Sequence, residues 1–465
     1  MLYKALPGTS LACLFVLIAN TLWLRAIDNA LLARARSGDV SAMLRVAQAY
    51  ESGKDGAANP VEAARWYERA ANVGDPAAQT KIAVLYLQGV GVTKDPVEAV
   101  RYLLRAASGG YGPAQYDLGI SYVRGDGVHR DLAEAVRWFR EAAGNGTADA
   151  EAALGAMYAN GEGVPRDFRM ALEWNHKGAK HGSLIAQCNL GGLYELGTGV
   201  EKDPREAERW YRKAADRGDA RCQYRLGRLL VSQPDGNKAE AIAYLQRAAD
   251  GNDSQAMFAL GLFHETGKGV KQDYAEAAEW YRKASAAGSH EALVNLGFLY
   301  ESGHGVPEDK AEAARLYIEA AEKGIAPAYR NAAEAYDKGW VMPRDYAKAR
   351  YWYQQGAMTG DIIAQERLGD LLYLGLGGGR DREEAVRWLT SAAKQGNTSA
   401  AINLGKVLSD ESASSADRVA ALTWFEVARL RGQDPGPALT TLKQQLSGPE
   451  TDESLHNATK MLAVH

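Results

Sequence analysis

One aromatic position recurs along the chain at a fixed step: Trp66, Tyr102, Trp138, Trp174, Trp210, Tyr244, Trp280, Leu316, Trp352, Trp388 and Trp424, with nine of the ten steps equal to 36 residues and Leu316 the one aliphatic member. A period of this length marks a stack of small structural units, each unable to bury its own apolar face without its neighbours. The 465 residues of the chain also exceed what one hydrophobic core usually holds. A second column runs Ala47, Ala83, Gly119, Gly155, Gly191, Gly227, Gly261, Gly297, Ala333, Gly369 and Gly405. Five positions before it stands Ala42, Ala78, Ala114, Ala150, Ala186, Cys222, Ala256, Ala292, Ala328, Ala364 or Ala400. Two columns of small residues in phase with an aromatic one predict closely packed helices in eleven repeats. The single 34-residue step falls at Val231–Glu240, where the loop between helices has lost two residues.

Each repeat reads as two antiparallel helices, A and B. In helix A, Ala114, Leu118-Gly119 and Tyr122 place one apolar face at helical period. A loop such as Gly125-Asp126-Gly127-Val128 follows, with glycine where a helix ends in a left-handed residue. Helix B then opens on Asn59, Asp95, Asp131, Asp167, Asp203, Asp273, Asp309, Asp345 or Asp381 as N-cap, with Pro60, Pro96 and Pro204 at the first helical position. Glu62, Glu98, Glu134, Glu206, Glu276, Glu312 and Glu384 stand three residues after their caps, the spacing of a reciprocal capping box. The expected fold class is all-α: a right-handed α/α superhelical solenoid.

These columns and the loop pattern resemble the Sel-one-like repeat, a 36-residue relative of the tetratricopeptide repeat, and the resemblance covers about Asp39 to Gly432. It implies a TPR-like solenoid that binds other proteins through the wall formed by its A helices. The domain boundaries expected are 1–38 for a leading segment, 39–432 for the solenoid, and 433–465 for C-terminal capping helices, read from Pro437–Leu446 and Thr451–Val464. Before the array, Lys4 precedes an apolar run from Leu11 to Leu24, closed by Arg25. Its length suits a signal h-region or a short anchor. The expected location is a bacterial inner membrane with the repeats facing the periplasm, the alternative being a cleaved signal and a soluble periplasmic protein.

Little in the sequence carries chemistry. Gly375–Gly379 and Thr266-Gly267-Lys268-Gly269 are glycine-rich but occupy the A–B loop and lack the Gly-Lys-Ser/Thr of a phosphate loop. His176 and His181 have no third ligand at metal spacing. No catalytic, cofactor or metal residue is expected. A bridge between Cys188 and Cys222 stays open. Lys+Arg 54 against Asp+Glu 58, a formal charge of −4, argues against nucleic acid as partner.

What remains is surface. By the phasing of the resembling family, the wall positions lie three before and one after the glycine column. Tyr116, Ile120, Tyr224, Phe258, Leu262 and Phe298 there are expected to form the apolar centre of a protein-binding groove, with Arg330 and Glu334 at its charged rim. The function expected is a non-enzymatic scaffold or adaptor at the cell envelope. The rival is a binding protein for a cell-wall glycan or exported polysaccharide.

Overall fold

The computed structural model describes residues 29–53, 58–234, 236–340, 343–410 and 413–463. They form helices and turns with no strand among the described residues, in consecutive antiparallel pairs that follow the predicted repeat. The chain divides into two compact units, Met1–Gln233 and Pro234–His465, with the boundary in the loop that the sequence shortens. The first holds a short lead helix (Asn29–Arg36), five complete pairs and helix A of repeat six (Ala220–Ser232). The second runs from helix B of repeat six (Lys238–Asp250) through repeat eleven to two closing helices, Pro437–Gln445 and Gly448–Ala463.

The small columns are where the helices touch. Every member of the alanine column, Cys222 included, has no exposed surface. In repeat three, a Cβ on Gly119 would lie 2.5 Å from the Phe139 ring of helix B, so glycine is required for the pair to close. The loop glycines serve two purposes. Gly125, at φ 80°, ends helix A, while a Cβ on Gly127 would lie 2.0 Å from the Pro96 carbonyl oxygen at the start of the preceding B helix. Nine of these loops are closed by backbone, as where Asp131 N–H donates to Tyr122 O at 3.0 Å and Asp167 N–H to Tyr158 O at 2.9 Å.

All nine Asx residues expected to cap helix B do so, accepting backbone N–H bonds in the first turn. The glutamates three residues on behave differently from expectation. Glu62, Glu98, Glu134, Glu206, Glu312 and Glu384 pair with Arg65, Arg101, Arg137, Arg209, Arg315 and Arg387, one turn further along. The reciprocal box forms at Ser414 and Asp417 instead. The seven members of the aromatic column from Trp66 to Trp280 lie under a cation from their own helix, as with Lys213 over Trp210 and Arg69 over Trp66.

A third contact ties repeats together. Gln79, Gln115, Gln187, Gln223 and Gln365, all buried, donate Nε2–H to the carbonyls of Ala71, Ala107, Ala179, Ala215 and Ala357 at the end of the preceding B helix, at 3.0–3.4 Å. Each of these carbonyls also accepts a backbone N–H where its helix ends, so the glutamine adds a second bond to it from the next repeat.

Both ends are covered. Leu32 and Ala35 of the lead helix are buried against repeat one, so the part of 1–38 that is described belongs to the packed structure. The apolar run Leu11–Leu24 lies outside the described residues, and none of the described helices is long and apolar enough to cross a membrane. At the other end Leu439, Leu442 and Ala458 are buried. The last helix starts at Gly448 rather than Thr451, because Pro449 falls in a first turn where its missing N–H is not needed and Ser447 N–H donates to Glu450 at 2.9 Å.

Candidate functional site

Within the first unit, the expected wall residues are largely packed. Tyr116 is half-buried with its ring 5.8 Å from Phe139, and Ile120 sits half-buried against the same cluster. Tyr224 is half-buried on helix A of repeat six. The column three before the glycine is less open than the family phasing implied, since Ala152 and Cys188 of this unit and Ile402 of the second are buried. Cys188 and Cys222 are joined as a disulfide with their Cα atoms 5.7 Å apart, linking the A helices of repeats five and six. With Asp219 they make the one group of potential metal ligands among the described residues, and the disulfide leaves it no thiolate.

The second unit opens a cavity on its helix A wall. Phe258 and Leu262 are half-buried, the Phe258 ring 5.7 Å from that of Tyr281. Phe298, which matches Leu262 on helix A of the next repeat, is 48% exposed. It edges a cavity of about 430 Å³ whose lining includes Glu265, Val294, Asn295, Glu301, Arg330 and Glu334. A neighbouring cavity of about 410 Å³ runs beside Phe258 and shares Val294 and Asn295 with it. Thus Phe298, Arg330 and Glu334 meet at one site and Phe258 at its neighbour.

The electrostatics follow from a pairing that single columns do not reveal. Helix B carries Tyr67, Tyr211, Tyr281, Tyr317 and Tyr353 one residue after the aromatic column, and exactly these repeats carry Glu51, Glu195, Glu265, Glu301 and Asp337 four after the glycine column. In the structure each hydroxyl donates to its acid, at 2.7 Å for Tyr67 and Tyr211, 2.8 Å for Tyr317 and 3.3 Å for Tyr353, with Tyr281 on Glu265. The repeats without the tyrosine have Leu103, Phe139, Asn175, Leu245, Leu389 or Phe425 there, and no acid opposite. Burial, reinforced by the adjacent carboxylates, pushes the phenols of Tyr281 and Tyr317 far above their ordinary range, so they stay protonated and donate.

Arg330 lies between acids: its Nε is 3.3 Å from Asp361 and its guanidinium 3.9 Å from Glu334, which also takes Lys338. Beyond this cavity, Asp370 of repeat ten is pushed up to about 6 by burial, with Asn403 donating to it at 3.0 Å. His264 contributes its backbone carbonyl to the loop closure that the tyrosines provide elsewhere. His181 bonds Glu151 at 2.7 Å.

Comparison with known proteins agrees with this architecture. The family model described as the Sel1 repeat matches ten consecutive segments from residue 40 to residue 397. A solved structure described as a protective antigen present in uropathogenic Escherichia coli strains, displaying an SLR fold, is 30% identical, covers 93% of this chain and 94% of that chain, and superposes with a TM-score of 0.59. A Sel1 repeat protein from Oxalobacter formigenes is 32% identical over 70% of this chain and 93% of its own, with a TM-score of 0.49. None of the curated protein sequences compared matches the chain.

Proposed function

Because this chain belongs to the Sel1 repeat family, whose members are generally protein-interaction scaffolds and typically non-catalytic, we propose that it is an adaptor holding a protein partner on its helix A wall at the bacterial cell envelope. The observation that carries the reading is Phe298. A single exposed apolar side chain is ordinary on a protein surface, but this one stands 48% exposed at the edge of a cavity of about 430 Å³ that also holds carboxylates, amides and a guanidinium. Exposed aromatic surface beside convergent polar groups is the composition of a protein-binding hot spot.

Two features support the envelope. The Lys4-led apolar run Leu11–Leu24 has the composition of an export signal or anchor. The Cys188–Cys222 disulfide suits a compartment that keeps disulfides oxidised, such as the periplasm.

The test places a photo-crosslinking amino acid at Phe298 in cells, with the exposed Tyr351 of helix B in repeat nine as control position. Adducts with an envelope protein from position 298 and none from 351 are expected. Adducts from 351 alone, or only with cytoplasmic proteins, contradict the wall or the location respectively.

A further inference from the structure

Four of the five acids that accept a tyrosine hydroxyl fall into two groups by what the next repeat offers them. In the first unit the next repeat supplies a cation: Lys81 reaches Glu51 at 2.8 Å and Arg228 reaches Glu195 at 2.7 Å. These cations stand two before and one after the next glycine column. In repeats seven and eight the same two positions of the next repeat hold Asn295 and Phe298, then Asn331 and Glu334. Glu265 and Glu301 therefore accept neutral hydroxyls, and neither forms an ion pair among the described residues. The cations nearest in the sequence of the wall are already taken, Arg330 by Asp361 and Lys338 by Glu334. A cation that the chain supplies from within at two repeats is missing at two successive others, where Asn295 instead donates to the Tyr281 hydroxyl at 3.0 Å, and it is there that Phe298 protrudes and the wall hollows.

Resting on the proposed role of this wall, we infer that its partner presents an extended peptide segment with a lysine or arginine close to an apolar residue, the cation entering between Glu265 and Glu301 and the apolar side chain packing on Phe298. Charge complementarity selects the cation: two half-buried carboxylates without a counter-ion attract it, and partial burial shields the attraction from salt better than at an open surface. Chain geometry fits as well. Side chains two apart on an extended segment are about 7 Å from one another on the same face, so neighbouring side chains can reach an acid and the Phe298 ring of adjacent helices.

The experiment selects displayed random dodecapeptides on the full chain and measures the selected peptides by titration calorimetry at low and high salt. Its variants are Glu265→Gln with Glu301→Gln, which keeps an acceptor for each tyrosine hydroxyl while removing the charge, and Phe298→Ala. Melting temperatures confirm that each variant is folded. Selected peptides should carry Lys or Arg within two residues of an apolar side chain. Their affinity should fall at least tenfold, with a flatter salt dependence, in the double Gln variant, and should fall in Phe298→Ala. Peptides that need Phe298 but bind the Gln variant unchanged, or that are acidic, overturn the cation assignment and leave the wall reading standing. Peptides indifferent to all three substitutions overturn both.

Discussion

Gly119 shows how little room a helix pair leaves, since any side chain there meets the Phe139 ring, whereas Gly144 at the end of the same B helix has nothing within 4 Å of an added Cβ. The two glycines should respond to alanine in opposite directions. Gly119→Ala is expected to destabilise by about 1–3 kcal/mol through overpacking, and Gly144→Ala to stabilise by about 0.5–1 kcal/mol by restricting the unfolded chain. Thermal melting of both variants checks the pair. The glycine and alanine columns were readable because their spacing repeats and because only close packing demands them. The tyrosine–acid bonds were not read, although the signal was present: Glu51, Glu195, Glu265, Glu301 and Asp337 look like surface acids until their column is compared with the one holding Tyr67, Tyr211, Tyr281, Tyr317 and Tyr353. The glutamine column escaped for a similar reason, since Met43, Glu151, Met257, Leu293, Tyr329 and Ala401 interrupt it.

Among the helices, the caps show which half of a motif local chemistry decides. Asp203 accepts from the backbone of Arg205 and Glu206 at 2.9 and 3.0 Å, and Asp203→Ala should cost about 1 kcal/mol, visible as a lower melting midpoint. The Glu half fails because the cap N–H is already spent on closing the loop, Asp203 N–H donating to Tyr194 O at 3.0 Å, which leaves Glu206 to pair with Arg209 at 2.7 Å. Asp-x-x-Glu followed by x-x-Arg fits both outcomes, so spacing alone did not choose. The closing helices add an electrostatic test. Glu426 has no exposed surface, and while burial pushes its carboxyl up, Lys443 and Arg429 together pull it down further, leaving it below the ordinary carboxylate value. A depressed carboxylate stabilises the fold above its unfolded value of about 4.3 and loses that contribution as pH falls through the lower folded value. Glu426→Gln should therefore cost on the order of 2 kcal/mol at pH 7, and the gap from wild type should narrow progressively as melts are run at pH values falling below about 4.

For the molecule as a whole, each compact unit is a stack in which a repeat contacts its neighbours, so stability is shared along it while the wall is free to vary. The repeat, its helix pairs and the C-terminal closing helices were legible from period and patterning, whereas the lead helix Asn29–Arg36 that covers repeat one was not read. The wall was legible only in part, because adjacent A helices pack on one another and take Ala152, Cys188 and Ile402 out of a column that family phasing assigns to the surface. Phe258 and Phe298 occupy the two expected wall columns and separate the alternatives: one ring is half-buried against Tyr281, the other is 48% exposed with its edge towards His304, ring centroids 6.3 Å apart. The most direct measurement takes Phe258→Ala and Phe298→Ala through the same two readouts, thermal stability and affinity for the crosslinked partner. The account predicts that Phe298→Ala changes stability by no more than about 0.5 kcal/mol while affinity falls tenfold or more, and that Phe258→Ala costs about 2–3 kcal/mol of stability. A Phe298→Ala protein that melts as low as Phe258→Ala, or that binds its partner as tightly as wild type, would contradict it.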